Sequence, residues 1–121
     1  MKKIGEAALA LVLCLPAFSG PAVAHHSFAM FDQTKITKLK NVTVVRFEWT
    51  NPHAFVVVQS GGTTYTLEGS SPAQLKRTGW KFNMLQAGER IDVAFNPLRS
   101  GKPGGSLKLV TLSDGRKLEA G

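Results

Sequence analysis

The chain has 121 residues, 15 basic against 8 acidic side chains and a formal charge of +7. That length holds one domain with a single modest core. No apolar run is long enough to span a bilayer, which excludes a membrane-embedded helix.

The first 24 residues read as a secretory leader, with Lys2 and Lys3 ahead of an apolar run from Ala7 to Phe18. Gly20 and Pro21 break that run, and Ala22-Val23-Ala24 forms a small-x-small cleavage site. Cys14 sits in Leu11-Val12-Leu13-Cys14, a poor lipobox because Leu13 is not small. Cleavage after Ala24 removes Lys2, Lys3 and Glu6, so residues 25–121 carry +6. That mature chain has no cysteine, hence no disulfide and no thiolate metal site. The expected compartment is the periplasm.

Residues 25–38 form an arm with Phe28, Met30, Phe31 and Ile36, too apolar for a free tail and expected to lie on the barrel. Residues 39–121 form the barrel domain. Its first strand runs from Leu39 to Thr50, with Val42 and Val44 on one face and Val45, Phe47 and Trp49 on the other. The simplest physical cause of a change of face within one strand is a bulge or sharp coil near Val44-Val45. Asn51-Pro52 ends it, and His53–Ser60 is a second strand, central because Ala54–Val58 is apolar on both faces. Gly61-Gly62 is a two-residue hairpin turn, and Thr63–Gly69 alternates as a third strand.

Ser71-Pro72-Ala73-Gln74 fits a capping box with proline at the first helical position. A helix of about seven residues follows, with Leu75 in the core and Gly79 as its stop. Trp80, Phe82 and Leu85 are expected to cover one end of the sheet. Glu89–Phe95 is a fourth strand, Asn96–Gly105 an irregular loop, and Leu107–Leu112 a fifth strand. Ser113–Arg116 is a turn, after which the chain frays or adds a short edge. The order β-β-β-α-β-β gives the expected fold class: all-β with one short helix, an OB-like five-stranded Greek-key barrel.

The chemistry lies in three histidines. With cleavage after Ala24, His25 offers a free amine and its own Nδ1 as a chelating pair. Both groups lose their protons near neutral pH at modest cost. His53, or His26, would complete a three-nitrogen set, and Met30 would add a soft axial donor. Tetragonal nitrogen donors favour Cu(II), and zinc would accept the same nitrogens. The set resembles the histidine brace of copper monooxygenases and of some exported copper carriers. Against it stands the simpler reading that His53 caps a turn and His26 ties the arm down.

Other features carry less chemistry. Glu68 ends the third strand beside Ser70 and Ser71, where it would contact the arm or a histidine. No carboxylate pair, nucleophile elbow or phosphate loop is present. Trp49, Tyr65 and Trp80, interleaved with Arg46, offer a candidate ligand face of the kind OB barrels use. The competing reading puts Trp49 and Trp80 in the core or its lid.

The stretches His25–Asp32, Phe47–His53, Ser71-Pro72 with Leu75, Gly79-Trp80, and Asp114-Gly115-Arg116 resemble those of a family of small exported bacterial proteins known as a domain of unknown function. The likeness covers residues 25–118. It implies export and a small barrel, and supplies no activity. The leading expectation is a non-catalytic exported metal-binding protein. Copper would be held by His25, His53, His26 and Met30, for buffering, delivery or sensing. The alternative is a metal-free periplasmic binding module for a partner protein, a glycan or an anionic surface. Neither reading involves nucleic acid, and a membrane protein partner fits both. A copper-dependent oxidase ranks third, since so small a barrel leaves little room for a substrate pocket.

Overall fold

The computed structural model describes residues 28–121; the leader, His25, His26 and Ser27 lie outside them. A 3-10 turn at Phe28–Met30 leads into β1 (Thr37–Glu48), β2 (Phe55–Ser60), β3 (Thr63–Glu68), α1 (Pro72–Arg77), β4 (Arg90–Pro97), β5 (Gly104–Thr111) and β6 (Lys117–Glu119). β1 pairs with both β2 and β4, β2 with β3, and β4 with β5, all antiparallel. A parallel pairing of β3 with β5 closes the ring. The result is the closed five-stranded barrel of an OB-like fold. β5 is divided between two partners: Gly104–Ser106 close on β3, and Leu109–Thr111 hold β6.

The change of face in β1 arises at the expected place. The register against β2 shifts between Val44 and Arg46. Val42 and Val44 are buried, and Phe47 and Trp49 pack against the core beyond the shift. Val45 itself is the unpaired residue and is exposed, which corrects its assignment to the inner set. A second irregularity, between Leu39 and Val42 against β4, has no apolar signature. It is built on Asn41 at φ 53°, a left-handed position that asparagine tolerates. The Asn41 N–H donates to Asp92 Oδ1 at 2.7 Å. Two bends let one 12-residue strand serve opposite walls of a small barrel.

The hairpin after β2 closes through Ser60 and Thr63, with the positive φ on Gly61, the first central residue, as in a type II′ turn. α1 begins as its sequence dictates: Ser71 Oγ accepts from the Gln74 N–H at 3.3 Å, and Pro72 opens the helix. Its far end is tied to β6. The Thr78 hydroxyl donates to Glu119 O at 3.0 Å, and the Trp80 indole N–H donates to the same carbonyl at 2.8 Å. Trp80 and Leu85 are buried, whereas Phe82 is 69% exposed and covers nothing. In the turn before β6, Asp114 accepts from the backbone N–H and then the guanidinium of Arg116. These bonds hold its carboxyl below the usual range.

β4 and β5 are longer than their alternation suggests. The ladder continues through Asn96↔Ser106 and Pro97↔Gly105, so the irregular loop shrinks to residues 98–103. That loop holds the arm. Phe31 is buried and bridges Leu98, the Asp32 N–H donates to Pro97 O at 2.8 Å, and the Arg99 N–H donates to Met30 O at 2.8 Å. Asp32 also accepts from the Thr34 hydroxyl at 2.6 Å and from its N–H at 3.1 Å. The hydroxyl bond first, then the backbone bond, lowers the Asp32 carboxyl below its ordinary value.

Asn96, the buried polar side chain of the core, donates from Nδ2 to Lys35 O at 2.7 Å. Asn96→Ala should cost about 1–2 kcal/mol through the lost bond and its stranded carbonyl. We expect a melting point roughly 5–10 °C lower and faster proteolysis near Lys35. An unchanged melt with a protected arm would show that the arm is held by Phe31 and Arg99 alone.

Candidate functional site

A cavity of about 360 Å³ opens between the arm, the end of β3 and the middle of β5. Phe28 and Phe31 form its arm-side wall, His53 and Glu68 a second, and Ser106 and Lys108 a third.

His53 reaches the cavity because the chain turns sharply after β1. The Thr50 hydroxyl donates to His53 O at 2.7 Å, and Asn51-Pro52 is a cis peptide bond. The Ala54 N–H donates to Ser70 O at 3.1 Å and the Gly69 N–H to Ala54 O at 2.8 Å, which fixes the backbone on both sides. The imidazole is half-buried, with Nδ1 3.1 Å from Gly69 O. A carbonyl only accepts, so Nδ1 carries the proton of that bond. In the neutral ring Nε2 is then the nitrogen with a free lone pair. Metal-binding histidines are commonly oriented this way, by a backbone carbonyl on the other nitrogen. Nε2 lies 3.6 Å from Glu68 Oε1, beyond hydrogen-bond range but within ion-pair distance when the ring is protonated. Glu68 is the residue that the histidine pattern leaves out. Its place at the end of the third strand, two residues before Ser70, is the signal for it.

The other expected site residues fall elsewhere. His25 and His26 lie outside the described residues. Met30 is 48% exposed, with its carbonyl bonded to Arg99, and does not line the cavity. Trp80 is internal and touches Phe47 with ring centroids 5.7 Å apart; Trp49 meets the same Phe47 edge-on at 5.7 Å. Tyr65 packs on Phe95 at 5.9 Å and lines a separate cleft with Lys102 and Pro103. Arg46 is exposed and pairs with Glu48. The four residues of the expected ligand face therefore do not form one stacking surface. Trp49 and Trp80 follow the competing reading, as lid and core.

Among the described residues no group of three or more His, Cys, Asp or Glu side chains gathers at one point. None of the described helices is long and apolar enough to cross a membrane.

A family model for a domain of unknown function matches residues 12–108. The chain belongs to DUF6152. No curated protein matches it, and no solved structure does. The DUF6152 segment takes in His25, His26, His53, Glu68 and Lys108, so all three histidines and the cavity's charged side chains lie within it. Strand β6, which ties down the helix, lies beyond it.

Proposed function

We propose that this protein is an exported, non-catalytic metal-binding protein that holds copper with its mature N-terminal histidine. His25 supplies its amine and Nδ1, and His53 supplies Nε2 as the opposing nitrogen. His26 serves as a further donor or as a contact that steadies the arm. The leader directs the chain to the periplasm, where it buffers, delivers or senses the ion.

The observation that carries this reading is the company His53 keeps. Its Nδ1 is committed to Gly69 O, which leaves Nε2 as the ligand nitrogen, and the cavity it lines is walled by Phe28. Phe28 is three positions after His25, a span of at most about 11 Å when extended. Phe31, Asp32 and Met30 fasten the arm just downstream, so the described chain begins at the cavity wall. Met30 does not line this cavity. Zinc is the competing ion, since its donor preferences overlap. The metal-free reading through Trp49, Tyr65, Trp80 and Arg46 has less support because Trp80 is internal and Tyr65 lies elsewhere.

The test is native mass spectrometry of periplasmic protein with one equivalent of Cu(II). A mass beginning at His25 with one retained copper supports the proposal. A different N-terminus, or no retained copper, overturns it.

A further inference from the structure

We propose that Glu68 is a ligand to the same ion, placing a carboxylate oxygen beside His53 Nε2 and making the site one for Cu(II) rather than Cu(I). This inference rests on the metal reading above.

The argument starts from β3. Leu67 is fully buried in the barrel, so strand alternation turns its neighbour Glu68 to the rim. There its backbone is held on both sides, by Phe55 of β2 and Ser106 of β5. The side chain is only 20% exposed and its Oε1 stands 3.6 Å from His53 Nε2. Two donors each about 2.0 Å from one ion are about 2.8 Å apart when cis on a tetragonal ion and about 3.3 Å apart on a tetrahedral one, so a closure of less than about 1 Å brings both into one shell. His53 is the ion-pair partner of Glu68 among the described residues, although Lys108 lines the same cavity.

The donor type decides the ion. A carboxylate is a hard, anionic oxygen that favours divalent ions, whereas Cu(I) prefers thiolate and thioether. The nearest thioether to the arm, Met30, is off the cavity wall. The negative charge of Glu68 also offsets one charge of a half-buried divalent ion, a gain that is smaller for a monovalent one.

The test is competitive titration of Cu(II), Zn(II) and Cu(I) into the mature protein, wild type and Glu68→Gln, with Glu68→Asp as a second variant. Glutamine keeps the shape and removes the charge, and a thermal melt checks folding. We expect Glu68→Gln to weaken Cu(II) by at least about tenfold, the lower end of what even an outer-shell partner contributes. Zn(II) should weaken with it, Cu(I) should stay within about threefold, and the Cu(II) paramagnetic resonance spectrum should shift. Glu68→Asp, which keeps the charge on a shorter stem, should fall between. If Glu68 merely orients His53, Cu(I) and Cu(II) weaken together and the inference fails. If Glu68→Gln binds Cu(II) like wild type, the inference fails while the copper reading stands. A wild type that takes up none of the three ions overturns the reading beneath it.

Discussion

Gly105→Ala should destabilise the closed barrel severely. A methyl group at this position would collide with Asn96 O and would meet Phe95 Cδ2 at 2.5 Å and the Asn96 carbonyl carbon at 3.0 Å. Two of those atoms are backbone of β4 and the third belongs to a fully buried ring, so none can swing aside. Gly105 is at once the partner of Pro97 in β4 and of Leu67 in β3. Relief therefore requires β5 to leave one of them, which opens the ring and wets Phe95 and Leu107. Ordinary overpacking costs about 1–3 kcal/mol, and this clash with main chain lies at or above the top of that range. A domain of this size has only about 5–15 kcal/mol in total. We expect a melting point more than about 12 °C lower, or no cooperative transition at all. Gly61→Ala is the control. It disturbs a positive φ, which Gly105 does not have, but nothing stands within 4 Å, so about 1 kcal/mol is expected. If both variants melt alike, the close approach of β4 and β5 is not what limits this position.

The second large effect is the one expected if the proposed copper site, with His25 at the mature N-terminus, holds. One residue inserted ahead of His25 should abolish tight Cu(II) binding while leaving the barrel intact. The insertion moves the free amine onto a different residue and breaks the six-membered ring formed by the amine and Nδ1 of one histidine. Two donors that bind as a chelate gain roughly 10²-fold or more over separate donors, and that factor should be lost. His53→Ala should lose affinity by removing Nε2 and leave the chelate pair. Isothermal titration with a Cu(II) competitor measures both, and the count of coordinated nitrogens by paramagnetic resonance should fall in each. An inserted variant with wild-type affinity refutes a brace built on the terminal amine.

The amino-acid order is sufficient for the elements themselves. Strands show because alternation with period two turns apolar side chains inward, as in Arg90–Phe95, where Ile91, Val93 and Phe95 are all buried. The helix shows because Ser71, Pro72 and Gln74 meet the requirements of its first turn. The bend at Val45 shows because the apolar set changes face, and the order β-β-β-α-β-β limits the topology to a few barrels. The metal question arises from residue type and position alone, through a histidine at the expected cleavage junction and another just before β2.

What the tertiary structure decided are the contacts between residues far apart in the chain. Nothing local distinguishes the glycines that close β5 on β3 from glycines of a loose loop; their role follows from what lies across the gap. Asn41 leaves no mark in the hydrophobic pattern, because its bend depends on one left-handed residue and the distant Asp92. Phe31 reads as an apolar residue in an arm, and only its bridge to Leu98 makes it an anchor. Tyr65 is set apart from Trp49 and Trp80 because it stands in β3 against Phe95, whereas both tryptophans pack on Phe47. Glu68 and His53, 15 positions apart, meet because β2 folds back on β3 in a register set by two glycines. Periodicity is a property of neighbours along the chain, whereas a site is a property of neighbours across it. Pairing register and barrel closure convert the one into the other.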